Sequence, residues 1–207
     1  MDQKTKSIIE VFFIILIFIV LSYIVQTNLE YFKDIIGDGF VGMFFYVLIT
    51  IIAVVVAPVT AMPFLLPIAA NLWNWVFVAI LSIIAWTIGA IIAFILARIY
   101  GVRIVKKFVS IDKITKFEKM IPKKNIFWSV VFLRMVIPVD ILSYALGIFS
   151  KISIRSYLLA TLIGVAPFAF ILSYLGQMPF YYQIVAFLIA IIIIISGVII
   201  KKIRDRK

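Results

Sequence analysis

Cysteine and histidine are both missing from the 207 residues. Without thiols the chain can form no disulfide, thiolate metal site or covalently attached haem. Without imidazole it lacks the usual general base and the commonest metal ligand near neutral pH. Charge is scarce too: 14% of residues are charged, against about 25% in a soluble domain. Hydrophobic residues make up 66%, where a soluble domain carries roughly 45–50%. One water-soluble core cannot hide that excess. The composition therefore reads as an all-α integral membrane protein and excludes cytosolic enzymes, secreted domains and nucleic-acid-binding modules. The net charge of +11, from 20 Lys and Arg against 9 Asp and Glu, is then explained by topology and anionic lipid headgroups.

Ile8–Val25, charged only at Glu10, is long enough for a tilted span. No small-x-small cleavage pattern follows at Gln26–Leu29, so it is read as an uncleaved first helix. An acidic linker closes this N-terminal unit, 1–39. Phe40–Ala70 is apolar but interrupted by Pro58, Pro63 and Pro67, and Trp75–Tyr100 is a clean helical run ending at Arg98. Gly101–Asn125 is basic, with Ile104, Phe108, Ile111, Ile114 and Phe117 at spacings of three or four, which predicts an amphipathic helix on the cytoplasmic leaflet. Ile126–Phe149 carries Arg134, Pro138 and Asp140, and Ile152–Leu175 is another apolar run. Residues 177–207 supply a last helix and a basic tail. Trp73, Trp75, Tyr181 and Tyr182 are read as interfacial anchors.

Six full crossings would put the basic 101–125 loop outside, against the positive-inside tendency. If 40–72 and 126–150 each enter and return on one side, every basic segment falls in the cytoplasm. The sequence thus predicts four full transmembrane helices plus two opposed re-entrant hairpins, with both termini cytoplasmic in a cell membrane. A shift of 75 residues sets Pro63 on Pro138, Ala70 on Ala145, Gly89 on Gly164 and Gly101 on Gly176. In that topology the repeat is inverted, and secondary transporters of this kind bind substrate near the midplane, where broken helices meet.

Phe132–Gly147, Phe-Leu-Arg-Met-Val-Ile-Pro-Val-Asp-Ile-Leu-Ser-Tyr-Ala-Leu-Gly, resembles the second hairpin of the DedA superfamily. Leu158–Gly176, with Gly164 and Tyr174-Leu-Gly176, is similar to the helix that follows it there. Pro63-Phe-Leu-Leu-Pro67 and Gly89 through Ala97-Arg98-Ile-Tyr-Gly101 resemble the matching first half. The likeness spans roughly 40–176 and is closest to the VTT-domain, or SNARE-associated Golgi protein, branch. It implies a flippase or scramblase of phospholipid or polyprenyl phosphate in a bacterial plasma membrane. Many bacterial DedA proteins carry an acid in the first hairpin; this chain has none between Asp38 and Asp112, so their proton coupling does not transfer directly.

Arg134, Asp140 and Arg98 are the candidate headgroup residues. An arginine at a helix centre costs about 2.5–3.5 kcal/mol on insertion scales and persists where it meets a cavity or partner. Arg134 either grips a lipid phosphate bidentately or pairs with Asp140 across the Pro138 break. Asp140 is also the candidate for any coupled proton, because desolvation favours a neutral carboxyl while Arg134 opposes that. Arg98, near a helix end, either joins the headgroup site or snorkels. Pro58, Pro63, Pro67, Pro138 and Gly147 are assigned to shaping the hairpins, Gly89 and Gly164 to helix packing. No catalytic residue, metal or cofactor is assigned, and Ser143 and Ser173 have no evident base. The expected partners are anionic membrane lipids and no nucleic acid, with homo-oligomerisation left open. A proton- or ion-coupled carrier of a small solute and a non-transporting membrane assembly factor are the competing readings.

The topology is testable because the chain has no cysteine of its own. Cysteines replacing Glu30 and Met178 should react with an impermeant maleimide from outside. Cysteines replacing Lys113 and Arg204 should react only after the membrane is opened, and external labelling at position 113 would refute the inverted repeat.

Overall fold

A computed structural model describes residues 3–56, 62–106, 125–136 and 139–189, and they are helical with no strand among them. In chain order the helices are α1 (Gln3–Thr27), α2 (Leu29–Ile36), α3 (Phe40–Val56), α4 (Met62–Leu72) and α5 (Trp75–Val105). They are followed by α6 (Ile126–Val136), α7 (Val139–Phe149), α8 (Ile154–Gln177) and α9 (Phe180–Ile189). Pro58, Pro138, the predicted amphipathic segment from 107 to 124 and the tail from 190 onward lie outside the described residues. So do the side chains of Pro63 and Asp140.

Two helices are long and apolar enough to cross a bilayer, α5 over Trp75–Arg103 and α8 over Ile154–Gln177. The α1–α2 pair makes a third if its bend of 91° is counted as one span. This is a multi-pass helical membrane protein. At 1.5 Å per residue, the 24 residues of α8 reach roughly 36 Å, more than the ~30 Å hydrocarbon core. The 11 residues of α4, α6 and α7 reach only about half of it. The predicted fourth span falls on a helix described only to Ile189.

The acidic linker expected after the first span is itself largely helix. Thr27 Oγ1 donates to the Tyr23 carbonyl at 2.9 Å and Asn28 Nδ2 to that of Ile24 at 2.9 Å. These side chains add second donors in the last turn of α1, where the Asn28 N–H already bonds the Ile24 carbonyl at 3.1 Å. The chain then turns and α2 begins. Leu29, Phe32 and Ile36 line one side and pack with Leu72 and Trp73, while Glu30 and Lys33 form an ion pair at 3.0 Å on the wet side.

α5 and α8 form an antiparallel centre: Trp75 packs edge-on to Tyr174, ring centroids 5.2 Å apart, and Phe94 stacks on Tyr157 at 4.0 Å. Apolar burial gives little drive in lipid, so close approach of small residues has to hold helices together. Ala85, Gly89, Ala93 and Ala97 recur every fourth residue along a buried face of α5. Buried Ala160, Gly164, Ala169 and Ser173 do the same work on α8. A Cβ at Gly89 would lie 2.7 Å from Cβ of Val54 on α3, and one at Gly164 only 2.8 Å from Cβ of Arg134 on α6. Gly147 of α7 comes equally close to Phe94 and Ala97 of α5, and Gly176 of α8 meets Ala70 and Pro67 of α4.

The contacts therefore repeat with the sequence. The first short helix of each half, α3 or α6, packs against the middle of its own long helix. The second, α4 or α7, packs on the long helix of the other half. The start of α3 and the end of α4 also lie together. Trp73 Nε1 donates to the Asp38 carbonyl at 3.0 Å, and the Trp73 ring lies 5.9 Å from Tyr46. Trp73 is thus a buried wedge rather than the interfacial anchor expected, whereas Tyr181 and Tyr182 are 71% and 59% exposed. Gly101, at φ 59°, takes a left-handed turn that bends the end of α5 before the basic segment.

Gly89→Ala and Gly164→Ala should each destabilise the protein by roughly 1–3 kcal/mol, the usual range for overpacking. Gly39→Ala, with nothing within 4 Å, should be neutral. Thermal melts in detergent distinguish these outcomes.

Candidate functional site

Arg134 occupies the last turn of α6, whose backbone Gly164 lets approach the centre of α8. Its side chain is only 3% exposed. The guanidinium donates to Tyr157 OH at 2.5 Å and to Ser143 Oγ at 3.1 Å, so α8 and α7 both hold it. Its carbon also stands 5.1 Å from the centroid of the Tyr157 ring. The Tyr157 hydroxyl donates in turn to the Ala90 carbonyl on α5 at 3.2 Å. Two of the acceptors that hold this guanidinium are thus neutral hydroxyls, one from α7 and one from α8, and the second is tied in turn to α5.

The two broken regions also meet. The Tyr144 hydroxyl on α7 donates to the Val55 carbonyl, in the last turn of α3. The carbonyls of a helix's last turn lack intrahelical donors, and this hydroxyl supplies one. Asp140 follows Arg134 by six residues, across the break and in the first turn of α7; its side chain is not among those described.

Arg98 lies one layer away. Its guanidinium sits 4.2 Å above the Phe94 ring and donates to the Ser150 carbonyl at 2.7 Å and the Ile152 carbonyl at 2.8 Å. Arg134, Tyr157, Phe94 and Arg98 form a continuous ladder of cation, ring, ring and cation. Gly147 seats α7 beside it, and Gly89 seats α3. Pro67 is buried inside α4, and its carbonyl accepts from Asn71 Nδ2 at 2.8 Å.

A second polar cluster, absent from the sequence reading, gathers at the carboxyl end of α8. The Gly176 carbonyl accepts from Asn71 Nδ2 at 2.7 Å and Ser22 Oγ at 3.1 Å. The Met178 carbonyl accepts from Gln26 Nε2 at 2.8 Å and Gln183 Nε2 at 2.7 Å. Side chains of α1, α4 and α9 thereby complete an end that has no helical donors of its own. The available signal was Ser22 and Gln26, one turn apart on the same face of an otherwise apolar helix. Tyr157 was missed as well, because one tyrosine in an apolar run carries no periodicity to mark it. Among the described residues no group of acidic side chains could hold a metal ion.

A family model described as the VTT domain matches residues 58–178, more than half of the chain. No curated protein and no solved structure gives a match.

Tyr157→Phe keeps the stack on Phe94 but removes an acceptor from a buried guanidinium. It should cost about 1.5–3 kcal/mol, the range for hydrogen bonds to charged groups. Tyr174→Phe, which removes a hydroxyl from a 48%-exposed ring and leaves the Arg134 acceptors intact, should not reproduce that loss in the same chemical-denaturation measurement.

Proposed function

The chain belongs to the VTT-domain family, that of the DedA and SNARE-associated Golgi proteins, and on that premise we propose that it carries the phosphate headgroup of a membrane lipid across the bilayer. The observation that carries the reading is Arg134, a 3%-exposed guanidinium beside the central glycine of α8. The phosphate of a phospholipid or polyprenyl phosphate is its natural counter-ion. A planar fork meets phosphate oxygens through two parallel hydrogen bonds, and the Ser143 and Tyr157 hydroxyls that hold it are neutral groups an anion can displace. Asp140, next to the break, modulates that charge. The lipid tail stays in hydrocarbon while the headgroup passes between the two broken helix pairs.

In this reading α3–α4 and α6–α7 are re-entrant hairpins, and α1, α5, α8 and the helix begun by α9 are the four spans. Support comes from the half-length of α4, α6 and α7 and from the meeting of α3 and α4 ends at Trp73. Charge favours placing the α1–α2 bend outside, since Glu30, Asp34 and Asp38 gather there, and both termini in the cytoplasm. The process is translocation, with no covalent step and no cofactor.

Purified protein in liposomes should move fluorescent phospholipid between leaflets. Arg134→Lys should remain folded and lose most of the rate, because lysine keeps the charge without the fork; Arg134→Ala should lose nearly all of it. Activity in the double variant Arg134→Ala/Asp140→Asn, where each single change is inactive, would reduce Arg134 to a structural counter-ion.

A further inference from the structure

Arg98, although an exposed residue, turns its guanidinium onto protein carbonyls, and its place in the ladder gives it a different task from Arg134. Its two bonded N–H groups are taken by the Ser150 and Ile152 carbonyls, at 2.7 and 2.8 Å. Ser150 is the residue just past the end of α7, and Ile152 lies two residues before α8. Carbonyls at a helix's carboxyl end lack intrahelical donors and carry partial negative charge. A guanidinium can bridge two of them in a fixed plane while stacking on a ring, whereas an ammonium cannot.

The elements that Arg98 grips are the two that hold Arg134. Ser143 sits on α7 seven residues, about two turns, before Ser150, so displacing the end of that short helix displaces its hydroxyl. Tyr157 lies in the first turn of α8, just beyond Ile152. It is held a second time from Arg98's own side, through its stack on Phe94 at 4.0 Å. The fold does not require this clamp. α7 is already fixed to α5 by Gly147, whose Cβ position is 2.5 Å from the Phe94 carbonyl, and by buried Ile141, Tyr144 and Ala145.

We infer that Arg98 is a positioning residue for Arg134: by binding the α7–α8 connection it sets Ser143 and Tyr157, and these aim the guanidinium at the headgroup. The inference rests on the lipid-translocating reading for its effect on rate, but its structural half stands apart from it. Misplacement of a binding group by about 1 Å can cost up to ~100-fold in rate.

The test uses the full chain in detergent with 15N-labelled arginine, together with translocation of a fluorescent phospholipid in liposomes. Arg134 resonances are assigned by their loss in Arg134→Ala. In the wild type, bonds to Ser143 and Tyr157 should slow guanidinium rotation and separate the Nη signals. In Arg98→Gln and Arg98→Lys those signals should coalesce, while the melting transition stays cooperative and translocation falls roughly 10- to 100-fold. If either variant does not fold, Phe94→Leu, which removes the stack on Tyr157 but not Arg98, should coalesce the same signals. Unchanged Arg134 signals in the folded variants would overturn the inference, and so would coalescence without loss of rate. Loss of rate with unchanged Arg134 signals would make Arg98 a headgroup ligand instead. A wild type that moves no lipid would remove the transport reading, while the resonances would still decide the positioning.

Discussion

A helix that stops inside a bilayer must stop against protein, because hydrocarbon offers its last carbonyls and first amides no partner. In this chain the ends of α3 and α6 both stop against protein. α3 ends where Val54 meets Gly89, and α6 ends where Val131 and Arg134 meet Gly164. Both glycines sit near the middle of long apolar helices, so α3 ends packed against α5 and α6 ends packed against α8. A side chain at either position would hold the broken helix away from its long neighbour, and the space opened would be lipid rather than protein.

The same requirement governs the polar groups. Neutral amides complete the carboxyl end of α8, through Asn71, Gln26 and Gln183. A guanidinium completes the carboxyl end of α7, through Arg98. The difference follows the charge of the two ends of the molecule. Glu30, Asp34 and Asp38 lie near the first, and Arg103, Lys106, Lys151 and Arg155 near the second. Arginine at the second end agrees with the basic segments on either side of it. Arg134 differs in position: it is held beside Gly164, where hydroxyls of α7 and α8 accept from it.

The exchange of short helices between halves gives the architecture a mechanical consequence. Because α4 packs on α8 and α7 on α5, neither half can move as a body without loosening the other. The Tyr144 bond to the Val55 carbonyl ties the middle of α7 directly to the last turn of α3. Any movement that separates the two halves has to break these contacts.

Composition and the distribution of apolar runs determined on their own that the chain is a helical membrane protein, because no soluble core accommodates them. The 75-residue repeat likewise marked Gly89 and Gly164 as paired positions, since small residues at matching points in two helices are a local, one-dimensional signal. Arg134 stood out because a charge in an apolar run is costly wherever it is placed. Its partners were another matter. Ser143 and Tyr157 lie 9 and 23 residues away, and only the crossing of α6 over α8 brings them to the guanidinium. Trp73 was expected as an interfacial anchor and is a buried wedge against α3, and the polar side chains around Gly176 come from as far as 154 residues away in sequence. Such groups are chosen by geometry rather than by pattern: an orphan carbonyl at a buried helix end must find a donor, and which side chain supplies it depends on how the helices cross.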